Sequence, residues 1–342
     1  MERFNAETIP DIKGTVAKYA GKEIYGMALG DIVFDVMNLF PVYKASVSSL
    51  GLTMFHTIGN HDLDSAYNDL NNTADPLQNY GEQAYESYFG PADYSFNIGN
   101  VHVITMKNID YFRGRKYTEN ITAPQIEWLK KDLSYLKEGT LVFLNLHAPT
   151  SNKTGKGAGN IKNAPELMEI LKNFRVHIFA GHTHFYENQE VSPNIYEHNI
   201  GAACGTWWAG DVNRCGAPNG YLVVEVINTE VKWYYKATGQ NSDYQFRIYK
   251  PGEFLSQPGF LVVNAWDWDT ACKVNWYEDG QLKGSMEQFS DEDQDYISMV
   301  KMSKGYHTNH LFRVKPNAGS KNIKVEFVNR FGHVYSQELS LD

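Results

Sequence analysis

The sequence predicts an α/β core followed by a small all-β sandwich. Short apolar segments that end in polar, Gly-rich or His-rich turns alternate with amphipathic stretches through the first part of the chain. Strand-like runs take over from about Gly220, and Pro251 and Pro258 bracket a change of pattern. The expected domains are therefore residues 1–249 and 250–342, and 342 residues suffice for two cores.

Taken in order, four segments read as strands whose ends carry polar turns: EIYGMALGD (23–31), LTMFHTIGNHD (52–62), TLVFLNLHAP (140–149) and VHIFAGHTH (176–184). Between them, DVMNLFPVYKASVSSLG (35–51) has helical apolar spacing and a glycine stop. TAPQIEWLKKDLSYLKEG (122–139) opens with Thr122 and Gln125 at capping-box spacing and Pro124 in the first turn. NAPELMEILKNFR (163–175) reads as a further helix. Such alternation implies a mainly parallel sheet covered on both faces. YSFNIGNVHVITM (94–106) differs, because two alternating runs flank Gly99-Asn100 and predict an antiparallel hairpin. In the tail, Asp279-Gly280 predicts a second hairpin, and the last 90 or so residues a β-sandwich.

Bulk composition narrows the function. The formal charge is −9, from 31 basic and 40 acidic side chains, with no basic cluster, which argues against a nucleic-acid surface. Apolar runs such as LVFLNL are too short to span a bilayer, and residues 1–20 lack the apolar core of a signal peptide. Cys204, Cys215 and Cys272 are too few for a disulfide scaffold, though the first two could close a short loop.

Ligands of parallel α/β sheets bind beyond the carboxyl ends of the strands. There the four segments supply Asp31 and Asp35, then Asn60, His61 and Asp62, then His147, then His182 and His184. One such strand end is ordinary; four in succession predict a metal site. Imidazole, carboxylate and amide donors suit Mn, Fe or Zn better than Ca.

In order and spacing, GDIVFD, GNHD, LHAP and GHTH resemble the signature of the calcineurin-like metallophosphoesterase superfamily over roughly residues 1 to 240. The tail segments NAWDWD, VNWYEDG and NRFGHVYSQEL resemble a C-terminal domain of bacterial members. The resemblance implies a four-layer α+β core and hydrolysis of a small-molecule phosphomonoester or phosphodiester by a hydroxide bridging two divalent metal ions. It implies that Asp31 bridges the ions, that Asn60, His147 and His182 complete one of them, and that His184 binds the other. His61 would face the phosphate, oriented by Asp62 or Asp35. Such a pair of cations, roughly 3.5–4 Å apart, lowers the pKa of the attacking water and neutralises phosphate charge. The resembling proteins are often exported, so an extracytoplasmic or periplasmic setting is expected for the full-length protein.

The superfamily's first motif, D-x-H or D-x-Q, does not precede GDIVFD. The chain is expected to begin inside the helix after the first strand, the full protein having an upstream strand. This chain would then hold one well-liganded metal. A natural short form with one complete site is the alternative, and with it a catalytically silent metal- or phosphate-binding scaffold.

Other features carry two readings. Trp207 and Trp208, in a Gly-rich loop, could wall the substrate or anchor the loop. His56, His177 and His198 are expected to be structural. TGKGAGN (154–160) reads as a flexible loop without phosphate-loop spacing, and DEDQD (291–295) as a solvated acidic loop rather than a calcium site.

Overall fold

The structure, a computed structural model, describes residues 1–63, 80–112, 116–151 and 159–341. These form two compact units, one of described residues up to 151, 159–183 and 190–199, the other of 184–189 and 200–341.

The first unit opens with a π-turn, Phe4–Thr8, running into the helix Ile9–Lys18 with Pro10 in its first turn. Strand β1 (Tyr25–Leu29) leads through a 3-10 turn to the helix Phe40–Ser48, which buries Phe40, Tyr43 and Val47, the i, i+3, i+7 stripe. Strand β2 (Thr53–Thr57) returns parallel to β1, pairing Tyr25 with Thr53 and Leu29 with Thr57. After the helix Tyr80–Phe89, β3 (Tyr94–Ile98) and β4 (Val101–Thr105) form the expected hairpin about Gly99-Asn100. A second hairpin, β5 (Ile109–Phe112) and β6 (Lys116–Glu119), follows it. The helix Ala123–Leu133 starts where Thr122 N donates to Gln125 Oε1 at 2.9 Å, and it buries Ile126, Leu129 and Leu133. Then come β7 (Leu141–Asn145), the helix Ala164–Leu171, β8 (Arg175–Ala180), β9 (Glu187–Ser192) and β10 (Ile195–Asn199).

The α/β core is as expected, and its strands lie in two main sheets, which suits the four-layer core implied by the resemblance rather than the single sheet that alternation alone suggests. β1 and β2 pair only with each other among the described residues, while six strands run in the order β3-β4-β7-β8-β10-β9. The motif ends are therefore divided, two on the small sheet and two on the large one. Local periodicity marks a strand but not its neighbour, because pairing is chosen by long-range packing. Here one apolar core, including Phe40, Ile58, Ile104, Leu144 and Ile178, serves both sheets.

In the second unit, β11 (Gly220–Ile227) and β12 (Glu230–Ala237) form a long hairpin. The sandwich follows: β13 (Phe246–Tyr249), β14 (Leu261–Ala265), β15 (Lys273–Glu278), β16 (Gln281–Ser285), β17 (Glu287–Glu292), β18 (His307–Val314), β19 (Asn322–Val328) and β20 (Val334–Ser340). Its antiparallel sheets, β13-β14-β18-β17 and β16-β15-β19-β20, enclose Leu261, Val263, Phe312, Val325 and Phe327. Asp279 and Gly280, both at positive φ, make the predicted β15–β16 turn.

DEDQD is not a solvated loop. Glu292 ends β17 and accepts from the backbone N–H groups of Lys304, Gly305 and Tyr306, and Asp293 caps the helix Gln294–Val300. Backbone donors compensate the burial of both carboxylates. The three cysteines are free thiols, and no helix among the described residues is long and apolar enough to cross a membrane. Most of the Gly-rich segment 154–160 lies outside the described residues.

Candidate metal centre

Each motif strand of the first unit ends in a sharp turn. Backbone N–H groups of Gly181 and Leu146 donate to the carbonyls of His147 and Phe179, at 2.8 and 2.9 Å, which keeps the ends of β7 and β8 side by side. Asp31, Asp35 and His182 all have positive φ, at 52°, 55° and 64°. Such backbone costs about 1–3 kcal/mol per residue and persists where the surroundings impose it. Two glycines make the close approach possible. A Cβ on Gly30 would lie 2.4 Å from His147 Nδ1, and one on Gly59 would lie 2.2 Å from Asp31 N.

These turns aim four side chains at one point. His147 Nε2 stands 3.1 Å from Asn60 Oδ1, 3.1 Å from His182 Nδ1 and 3.3 Å from Asp31 Oδ1. Asp31, His147 and His182 make a group of carboxylate and imidazole donors whose ligand atoms lie within 4.8 Å of one another. Lone pairs thus converge with too few protons to pair them all, an arrangement that a divalent cation satisfies. The residues present fit a metal.

Further groups fix each ring. His147 Nδ1 donates to the Leu29 carbonyl at 2.7 Å, and His182 Nε2 faces Glu119 Oε1 at 3.4 Å. Asn108, fully buried, accepts through Oδ1 from the N–H groups of His147 and Ala148. Buried Glu197 accepts from Thr150 N at 2.7 Å and Ser151 N at 3.1 Å, pinning the loop that leaves His147. Tyr117 packs edge-on against His182.

The charges of the cluster are mutually adjusted. Burial opposes ionisation of Asp31, but the His147 charge and hydrogen bond, with His61 and His182 beyond, hold its carboxyl well below the usual range. Burial alone would lower His147; the Asp31 carboxylate outweighs it and raises the ring above its ordinary value. Burial lowers His182, with the Glu119 hydrogen bond working against it.

GNHD occupies a 3-10 turn, Asn60–Asp62. His61 N donates to Asp31 Oδ1 at 2.9 Å, and its Nδ1 lies 3.2 Å from Asp35 Oδ1. The ring is 4.6 Å from that of Phe34, which is 47% exposed. Of the two expected partners of His61, Asp35 is the one at the ring. The Asp62 carboxylate turns inward to the N–H groups of Gly59 and Val33, at 2.9 and 3.0 Å. Burial, then the charge of Asp31, push it up to about 8 against those two donors.

His184 falls in the second unit, again at positive φ, 57°. It packs edge-on against Trp207, which is 50% exposed, and Arg214 lies over both the Trp207 and Tyr306 rings. The Trp208 side chain lies outside what the structure describes. Elsewhere, His56 sits between Tyr43 and Phe89, and His177 Nδ1 meets His198 Nε2 at 3.0 Å.

Sequence reasoning missed Glu119, Tyr117, Asn108 and Glu197. The alternation in IDYF and in KYTE was a signal for the hairpin carrying Tyr117 and Glu119. Asn108 and Glu197 had no local signal, since each acts on a segment about 40 residues or more away in the sequence.

An α/β protein with a partly buried carboxylate, two imidazoles and an amide converging at strand ends belongs to the class of metal-binding α/β proteins. A family model described as calcineurin-like phosphoesterase matches residues 15–186, and one described as the C terminal of calcineurin-like phosphoesterase matches residues 197–335. The chain belongs to the calcineurin-like phosphoesterase family, whose members are metal-dependent phosphoester hydrolases. Among solved structures it is similar to a dimetal phosphatase from Danio rerio, with 12% identity, a TM-score of 0.41, and coverage of 56% of this chain and 77% of that one. No match was found among curated proteins.

Proposed function

We propose that this chain hydrolyses a small-molecule phosphomonoester or phosphodiester, with Asp31, Asn60, His147 and His182 holding a divalent ion. The observation that carries this reading is the convergence of Asp31 Oδ1, Asn60 Oδ1, His182 Nδ1 and His147 Nε2 at 3.1–3.3 Å about the last of these. When bound, the ion supplies Lewis-acid stabilisation of phosphoryl charge and lowers the pKa of the attacking water.

The chain's own residues do the rest. Asp31 keeps its negative charge in a partly buried setting, held by His147, next to where the phosphate would bind. Asp35 takes Nδ1 of His61, which makes Nε2 the atom that hands a proton to the leaving oxygen. Asp62 holds the turn, through Gly59 and Val33, on which His61 rides. Phe34, beside His61, offers apolar surface to the organic part of a substrate. His184 enters only through its place in GHTH, as ligand of a second ion.

The test is turnover of aryl phosphate monoesters and diesters by Mn-loaded protein. Wild type should cleave at least one class, and His61→Ala should lower kcat by about 10²–10⁴-fold, the range for a lost general acid. Metal binding without turnover, unchanged by His61→Ala, would overturn the enzyme reading.

A further inference from the structure

Neither ring of the cluster can present both its nitrogens to one ion, so something must decide which one faces inward. For His147 that is a backbone group, the Leu29 carbonyl on Nδ1, which directs Nε2 to the cluster. For His182 the corresponding place is taken by a side chain. Glu119 Oε1 lies 3.4 Å from Nε2 on the side away from the ring atom, Nδ1, that meets His147. We propose that Glu119 is the positioning residue of this centre, fixing the tautomer and orientation of His182 so that Nδ1 is the metal-facing atom. The inference rests on the metal reading above.

The setting of Glu119 suits this task. It ends β6, and its backbone carbonyl accepts from Lys162 N at 2.9 Å, while Asn120 N, next in the chain, donates to the Asn108 carbonyl at 2.9 Å. Both anchors belong to the backbone and survive a change of side chain. The Glu119 side chain is 22% exposed and that of His182 11%, so the pair is largely shielded from competing water. Tyr117, two residues earlier and on the same face of the strand, packs edge-on against the same imidazole. One short strand thus restrains the ring by packing and by a hydrogen bond. A carboxylate there also raises the basicity of the imidazole, and loss of such a partner costs ~10–100-fold in metal affinity.

Co²⁺ titration of the whole chain, followed by calorimetry and by the visible absorption of the bound ion, tests this. Glu119→Ala should weaken binding ~10–100-fold and change the absorption band. Glu119→Gln, which keeps a hydrogen-bond acceptor at the position, should weaken it less. The thermal midpoint of both variants without metal should match wild type. In a His182→Ala background, Glu119→Ala should have no further effect, because its target is gone. Wild-type affinity in Glu119→Ala, or an equal loss with and without His182, overturns the proposal. If wild type binds no Co²⁺ and His182→Ala changes nothing, the metal reading itself fails and takes this inference with it.

Discussion

Two aspartates, the fully buried Asp293 and the partly buried Asp31, have opposite surroundings. Asp293 in the second unit is surrounded by donors: the N–H groups of Asp295 and Tyr296 at 3.0 and 3.1 Å, the Tyr249 hydroxyl at 2.9 Å and the Asn264 amide at 2.8 Å. Asp31 in the first unit accepts from His61 N, and its Oδ1 also faces the two-imidazole cluster. The first arrangement closes its own account of hydrogen bonds; the second leaves lone pairs in excess. A buried polar group without compensation is costly, so an excess of acceptors at one point is evidence of a cation that belongs there. The contrast sets a carboxylate surrounded by hydrogen-bond donors apart from one that faces imidazoles able to share a cation with it.

The largest effect expected from breaking this contrast is on metal affinity. Asp31→Asn keeps an acceptor for His61 N but removes the charge, so metal affinity should fall by more than the ~10–100-fold cost of losing an outer partner. Without metal the same variant should also lose some stability, because the folded state favours the Asp31 carboxylate through His147. Calorimetric titration and thermal unfolding of one preparation read both. A variant that binds metal normally would remove Asp31 from the centre.

Asp293→Ala should do the reverse. It removes a helix cap, worth about 1 kcal/mol, and strands the Tyr249 and Asn264 donors, at ~1–3 kcal/mol each. Stability of the second unit should fall by roughly 3–7 kcal/mol in chemical denaturation, with metal affinity unchanged. Loss of metal binding at constant stability would show the two aspartates to be misassigned.

The contrast also explains what was legible in the sequence. GD, GNHD, LHAP and GHTH marked every member of the Asp31 cluster, because strand-end ligands must sit at fixed places on local turns. The hairpins about Gly99-Asn100 and Asp279-Gly280 were legible for the same reason. Glu119, Asn108, Glu197 and Asp293 were not, since each meets a partner that only the folded chain brings near. DEDQD misled because alternating acids look solvated until the N–H groups of residues 304 to 306 are seen to cover Glu292. The division of the strands between two sheets was illegible for the same reason, β1 ending next to β2 and not β4.

A smaller effect follows from two buried histidines, His56 in the first unit and His310 in the second. Burial, joined at His56 by the charge of Lys44, lowers each to about 4. Their folded-state values lie below the ordinary 6.5, so the unfolded chain takes up protons first. The stability they contribute is complete above pH ~6.5 and is lost as pH falls towards 4, at most about 3 kcal/mol for each ring. His310 Nδ1 donates to Asn264 Oδ1 at 2.9 Å, which Gln can replace. In His310→Gln the fall in stability between pH 6.5 and 4 should be shallower than in wild type, measured by denaturation at a series of pH values. An identical slope would mean that His310 is charged in the folded protein.

The smallest effect is expected where a carboxylate is neither buried nor a ligand. Glu287 forms a two-pronged pair with Arg313, Nε to Oε2 at 3.2 Å and Nη2 to Oε1 at 2.7 Å, as close as any contact of Asp293. Arg313 holds its carboxyl below the ordinary value. Yet the Glu287 side chain is 62% exposed, so water and salt replace what the guanidinium provides, and holding two long side chains costs entropy. Glu287→Gln should leave the thermal midpoint where it was in 0.15 M salt. If it fell as far as in Asp293→Ala, distance alone and not burial would govern the worth of these contacts, and the comparison of Asp31 with Asp293 would lose its basis. If it does not, burial rather than distance governs the worth of these contacts, and the partial shielding of the Asp31 cluster is what gives its contacts more weight than the Glu287–Arg313 pair.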